Sequence, residues 1–186
     1  AWAVDAFESS PLVNSVVIVL GNQNLEQGRK LVRDRHWTKV EEVCQGGARR
    51  QDSVRIGLEH LSSCKWTIVH DGARPCVTKT MISRGLEAAQ QTGAAIAAIP
   101  SKDTIKTVSQ NRMVTRTLDR TRLWLVQTPQ VFRRDLLEEA HRKVREDVTD
   151  DAAMLESLGH SVRVFDGDYS NIKVTTPDDL GLAEAI

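Results

Sequence analysis

The chain has 186 residues, and 25 Lys and Arg balance 25 Asp and Glu, so the formal charge at pH 7 is zero. That length fits a single domain, and with no basic excess to neutralise a phosphate polymer, nucleic acid is not expected as a partner. Charged residues make up 27% of the chain and apolar runs such as Ser15–Leu20 fall far short of the roughly 20 residues of a spanning helix, which argues against disordered tails and membrane spans alike.

The opening Ala1–Glu8 has the pattern of an amphipathic helix already under way, without a capping residue, so the chain is expected to begin inside a fold. Val16–Leu20 is a continuous β-branched run, the signature of a strand buried on both faces of a parallel sheet. Gln23–Asp34 reads as a polar helix and Lys39–Cys44 as a short strand. After Gly46-Gly47, a helix carries Val54, Leu58 and Leu61 at core spacing. Trp66–His70 is a second buried strand, Thr78–Gln91 a helix stopped by Gly93, and Ala94–Ile99 a small-residue strand closed by Pro100. Such alternation predicts an α/β fold with a mainly parallel sheet and flanking helices.

Between Lys102 and Leu118 the period changes. Thr104–Val108 and Met113–Leu118 alternate around Gln110-Asn111, which predicts a β-hairpin leaving the main sheet. Regular α/β then resumes with a helix over Arg133–Arg145, another after Thr149, a strand over Ser161–Phe165 and a last helix from Thr176. Thr176-Pro177-Asp178-Asp179 supplies a cap, a Pro at the first helical position and acids at the positive dipole end. Trp124 and Phe132, flanking Gln127-Thr128-Pro129-Gln130, are expected in the core. Cys44, Cys64 and Cys76 are odd in number and lack C-x-x-C spacing, which fits a reducing compartment and neither a disulfide scaffold nor a local zinc clip.

In open α/β sheets ligands bind beyond the carboxyl ends of strands, and three segments fall there. In His70-Asp71-Gly72-Ala73-Arg74-Pro75 the acid after a strand can take a magnesium ion or a hydroxyl, Gly72 lets backbone approach a ligand, and Arg74 offers a planar fork to phosphate. The plainer reading is a turn-capping acid paired with its arginine, with His70 packed. Gly46-Gly47, ahead of Arg49, Arg50 and Ser53, can present backbone N–H groups to an anion or a base edge, or be a tight turn with solvated arginines. Lys173, in an alternating strand between Ile172 and Val174, either faces water or points a charge at a transferring phosphoryl group.

Together, His70-Asp-Gly-Ala-Arg-Pro75, Ser101-Lys-Asp-Thr-Ile-Lys106, Asp119-Arg-Thr-Arg-Leu-Trp124, Gln127-Thr-Pro-Gln130, Thr149-Asp-Asp151 and Asn171-Ile-Lys-Val-Thr175 resemble the 2-C-methyl-D-erythritol 4-phosphate cytidylyltransferases. The resemblance implies a Rossmann-like nucleotidyltransferase domain with a β-arm, here about 103–120, that embraces a second copy in a homodimer. It implies cytidylyl transfer from CTP to methylerythritol phosphate in the non-mevalonate isoprenoid pathway, release of pyrophosphate, and use of Mg2+. By the same resemblance, Gly47 and Ser53 recognise cytosine and Asp71 lies at the sugar phosphate and the metal, with Gly72 beside it in the CTP site. Arg74, Thr104, Arg120, Thr128 and Thr149 line the acceptor pocket, and Lys173 binds the phosphates and stabilises the reacting α-phosphate. A cytoplasmic protein is implied, or a stromal one in a plant or alga.

Two departures stand out. Ala48 occupies a position that is acidic or polar in the family. The family also opens with a strand, a glycine-rich triphosphate loop containing an Arg, and a Pro-Lys-Gln segment, none of which precedes Ala1, so the chain as written is expected to be truncated and inactive by itself. The alternatives are a cytidylyltransferase for ribitol phosphate or another polyol phosphate, and a non-catalytic dimeric module.

Overall fold

The computed structural model describes residues 1–186. Its centre is β4 (Ala94–Pro100), in which Ala94 to Ile99 are all buried. Side chains alternate along a strand, so each face of β4 meets a different layer. Ala95 and Ala97 pack with Val131 and Phe165 against Met81, Ala88 and Ala89 of α4 (Lys79–Thr92). Ala94 and Ile96 face the other way, onto Phe132, on Leu136, Leu137 and Ala140 of α5 (Arg134–Lys143), and on Met154 and Leu155 of α6 (Asp151–Ser157). Alanines at the sheet centre let both helical layers approach closely. Phe132 and Leu137 are fully buried, and truncating such a phenylalanine costs about 3–5 kcal/mol.

Around β4 the order is β3 (Trp66–Val69), β7 (Trp124–Arg133), β4 and β8 (Arg163–Asp166). β7 is antiparallel to β3 and β4, while β8 is parallel to β4, so three of the four strands share one direction. β1 (Val16–Leu20) and β2 (Val40–Gln45) form a separate parallel pair. α1 (Trp2–Glu8) buries Ala3 and Phe7 with Val13, Val77 and Ile82. α2 (Leu25–Arg35), preceded by a 3-10 turn over Asn22–Asn24, and α3 (Arg50–His60) flank the β1–β2 pair. β1 and β3 each pair on one edge, and both line a cavity of about 1060 Å3.

The hairpin stands apart, as expected. β5 (Lys106–Val108) pairs only with β6 (Val114–Thr117), and every residue of both is exposed. Lys106 Nζ donates to Thr117 Oγ1 at 2.6 Å, and the Thr107 and Thr115 hydroxyls share a 2.8 Å bond. The last helix, α7 (Pro177–Ala185), starts with the anticipated capping box: Asp179 N–H donates to Thr176 Oγ1, and Asp179 accepts from the Thr175 and Thr176 amides.

Two expectations change, and one strand is added to the expected set. Trp124–Arg133 is a ten-residue strand at the heart of the sheet. Its register slips between Ile96 and Ala98, opposite Gln127–Pro129, which accommodates a proline that has no N–H for a ladder. Trp124 is 41% exposed, opposite Pro100 at the foot of the arm, and only Phe132 is core. Lys173 is not on a strand: residues 171–175 join no ladder and are tied down by Val174 N–H donating to Ala73 C=O at 2.8 Å.

Candidate active site

β3 ends at Val69, and the chain turns so that Asp71 sits among three cations. Its Oδ2 lies 3.1 Å from Lys173 Nζ and 3.8 Å from Arg74 Nε, and its Oδ1 3.4 Å from Arg50 Nε. Burial alone would raise the Asp71 pKa; the Lys173 hydrogen bond and the charges of Arg50, Lys173 and Arg74 outweigh it and hold the carboxyl below its usual value. Arg74 Nη1 donates to the Asn171 carbonyl at 2.7 Å, while its buried Nε has no hydrogen-bond partner. Burial pulls the Arg74 pKa down against the opposing Asp71 charge.

A second set of bonds fixes the backbone of Asp71. Thr128 Oγ1 accepts from Asp71 N–H at 3.0 Å and lies 3.1 Å from His70 Nδ1, and His70 Nε2 lies 3.0 Å from the Arg74 carbonyl. Because that carbonyl only accepts, Nε2 carries the proton, and in the neutral ring Nδ1 then accepts from Thr128. Burial drives the His70 pKa down to about 4, with the Arg74 carbonyl and the Asp71 charge pulling it up. His70 also packs on Phe7, ring centroids 5.2 Å apart. The bulge in β7 frees the Thr128 hydroxyl from the ladder and delivers it here.

Asn171, fully buried, ties Lys173 to this corner. Its Nδ2 donates to the Thr128 carbonyl at 2.8 Å and to Gln127 Oε1 at 3.2 Å, while Gln127 Nε2 donates to the Asp168 carbonyl. Asn171, Gln127 and Arg50 were not singled out from the sequence. The first two lie inside the motifs that carry the resemblance, and Arg50 follows the glycine pair.

Gly46 and Gly47 connect β2 to α3. A Cβ on Gly47 would stand 2.4 Å from Asp52 Cβ, so that position needs glycine, while one on Gly46 would stand 2.6 Å from Ser53 Oγ and turn that hydroxyl away. Gly47 N–H donates to Ser53 Oγ at 3.1 Å, and Ser53 Oγ donates to the Arg49 carbonyl at 3.2 Å. The two residues expected at the cytosine therefore touch each other. Arg49 is not simply solvated: its guanidinium pairs with Asp52 at 2.8 Å at the start of α3. Gly72 has open space where a side chain would be and lines the cavity between β1 and β3, as do Ser53 and Asp71.

The remaining expected acceptor residues stand elsewhere. Thr104 and Arg120 are exposed on the arm, where Arg120 Nη1 donates to the Lys102 carbonyl at 2.7 Å. Thr149 is exposed in the loop before α6.

The sequence profile of 2-C-methyl-D-erythritol 4-phosphate cytidylyltransferase matches residues 1–186. A protein of that description from Dehalococcoides mccartyi strain CBDB1 is 47% identical over 186 residues, covering all of this chain and 82% of the relative. A crystal structure of 4-diphosphocytidyl-2C-methyl-D-erythritol synthase from Anaerococcus prevotii superposes with a TM-score of 0.90 at 28% identity, over 99% of this chain and 83% of that one. The 2-C-methyl-D-erythritol 4-phosphate cytidylyltransferase of Thermus thermophilus gives a TM-score of 0.82 at 35% identity, over 99% of this chain and 85% of that one.

Proposed function

The chain belongs to the 2-C-methyl-D-erythritol 4-phosphate cytidylyltransferase family, and on that premise we infer that it transfers a cytidylyl group from CTP to 2-C-methyl-D-erythritol 4-phosphate. The products are 4-diphosphocytidyl-2-C-methyl-D-erythritol and pyrophosphate, in isoprenoid synthesis by the non-mevalonate route. The observation that carries the reading is the corner at the end of β3, where one carboxylate meets Lys173, Arg50 and Arg74 beside the glycine pair.

An oxygen of the acceptor phosphate attacks the α-phosphorus of CTP in line, and the bond to the β-phosphate breaks. No protein nucleophile is needed, and catalysis is positioning and charge neutralisation. In this reading Gly47 and Ser53 hold the cytosine edge. Lys173 leaves Asp71 for the phosphates and neutralises charge growing on the α-phosphate, while Gly72 leaves room for the nucleotide backbone. Arg74 and Thr149 face the acceptor. Thr128, whose hydroxyl is bonded to both Asp71 and His70, acts on the acceptor chiefly by fixing that turn.

The chain gathers no group of three His, Cys, Asp or Glu side chains for a cation. Asp71 faces Lys173, Arg50 and Arg74, so it would fit Mg2+ only once Lys173 has moved to the phosphates, with substrate phosphates supplying the further ligands. Bound there, the ion would neutralise phosphate charge.

The arm supports a homodimer. Val108, Met113 and Val114 are 59%, 68% and 61% exposed on a hairpin with no sheet of its own to cover them. Seated on a second copy, the arm would carry Thr104 and Arg120 to the partner's acceptor pocket. The unpaired edges of β1 and β3 border the cavity that Ser53, Asp71 and Gly72 also line, which leaves room there for the nucleotide.

The complete natural protein, given α-labelled CTP, Mg2+ and each acceptor in turn, should form labelled product and pyrophosphate with methylerythritol phosphate. Preference for ribitol 5-phosphate would replace this reading with a polyol phosphate enzyme, and no turnover of either acceptor would favour the non-catalytic module.

A further inference from the structure

Asp151 is a fully buried carboxylate that its own helix does not require. The cap of α6 is made by Asp150, whose Oδ1 accepts from Ala153 N–H while its Oδ2 accepts from Gln130 Nε2 at 2.7 Å. Asp151 instead turns inward. Its Oδ2 takes Arg50 Nη1 at 2.6 Å, and its Oδ1 lies 3.1 Å from Nε2 of the buried His141 on α5. Arg50 uses its other side, Nε, to reach Asp71 at 3.4 Å. One guanidinium thus spans a carboxylate in the interior and a carboxylate in the active site.

Energetics make stability a weak reason for this arrangement. Burying a charged pair costs about as much as its mutual attraction returns, and replacement by apolar residues is often neutral or better. What the pair supplies is location. Arg50 opens α3, Asp151 opens α6 and Asp71 follows β3, so the bridge fixes three segments that converge on the phosphates. Only a planar fork with donors on two edges can serve both acids; a lysine ammonium is a single point.

We propose that Arg50, anchored by Asp151, is a positioning residue for cytidylyl transfer: it sets the Asp71 carboxylate against which Lys173 and the substrate phosphates are arranged. The proposal rests on the transfer reading for its assay and not for its geometry.

Three variants of the complete protein test it: Arg50→Lys, Asp151→Asn and the double variant. Each single change should lower kcat about tenfold or more with KM for CTP and acceptor moving less than about threefold, and the double should be no slower than the slower single, since coupled neighbours are not additive. Losses that multiply, or single variants with normal kcat, would overturn the brace. Thermal melting separates a folding defect from a catalytic one, and Arg50→Lys, which keeps the charge, is the variant least able to unfold the protein. Independently of turnover, the 15Nε resonance of Arg50 should be sharp and slowly exchanging in the wild type and move towards that of free arginine in Asp151→Asn. An unchanged resonance sinks the proposal even if the reaction assigned to the enzyme proves wrong, whereas a shifted resonance with an inactive wild type would fault the reaction alone.

Discussion

Lys173 Nζ and Asp71 Oδ2 lie 3.1 Å apart, so the cation assigned to the reacting phosphate rests on a carboxylate of the chain itself. The lysine side chain is 47% exposed and the aspartate 17%, and Asp71 keeps Arg50 and Arg74 when Lys173 is lost, so this contact adds little beyond the about 0–1 kcal/mol of an exposed pair. Its value lies in charge that can be handed over. Lys173→Met should therefore melt close to the wild type yet lose on the order of a hundredfold in turnover, as for a lost transition-state donor worth about 2.7–4 kcal/mol. Lys173→Arg should recover part of that, because a planar fork does not occupy the place of a compact ammonium. Near-normal kcat of Lys173→Met at saturating CTP and acceptor would take this residue out of the mechanism.

Gly47→Ala tests the base site. The added methyl would stand 2.4 Å from Asp52 Cβ, and Asp52 is locked to Arg49 at the head of α3, so the loop rather than the helix must move. Overpacking of this kind costs about 1–3 kcal/mol. If the loop holds cytosine, KM for CTP should rise about tenfold while KM for the acceptor stays put, by the usual conversion of about 1.4 kcal/mol per decade. Equal changes in both constants would remove Gly47 from base recognition.

The contrast between β4 and β7 shows what was legible in the sequence. Ala94–Ile99 is apolar throughout and bounded by Gly93 and Pro100, so its strand character is local information. β7 carries Thr128-Pro129 in its middle, which argues against a central strand, and only the bulge opposite Ile96–Ala98 makes it compatible with one. At the site, the His70–Pro75 segment announced Asp71 and Arg74 through its place after an apolar run. Arg50 could not be separated from a solvated arginine, since its buried partner Asp151 is 101 residues away in the sequence. The Lys173 segment alternates like a strand, yet the ladder that would make it one does not form.

Apolar side chains on an unsupported hairpin motivate the dimer prediction. Val108→Glu together with Val114→Glu would place two charges in the interface, and sedimentation at high micromolar concentration should shift from dimer to monomer. A wild-type monomer under those conditions would dispose of the arm as a dimer clasp.

Arg120 sits at the foot of that arm, and its side chain bonds only the Lys102 carbonyl within its own chain. If it faces the acceptor phosphate of a second copy, Arg120→Ala loses a charge-assisted bond worth about 1.5–3 kcal/mol. The expected result is a rise of tenfold or more in KM for methylerythritol phosphate with KM for CTP little changed. Equal weakening of both substrates would refute the assignment.

His70 gives the fold a dependence on pH. Its pKa is about 4 in the folded chain against an ordinary 6.5, chiefly through burial. Above about pH 6.5 the ring is neutral folded and unfolded, and its contribution is complete. Between 6.5 and 4 the unfolded chain takes up a proton that the folded chain refuses, so stability falls as pH falls through that window. At about 1.4 kcal/mol per pH unit, the loss between pH 7.5 and pH 5 is about 2 kcal/mol from this one group. His70→Gln can still donate towards the Arg74 carbonyl and accept from Thr128, but it has nothing to titrate. Urea unfolding at the two pH values should therefore show a smaller difference in the variant by about that amount. The same slope in both proteins would mean that His70 is protonated in the fold, which would contradict the chain of bonds from Arg74 through His70 and Thr128 to Asp71.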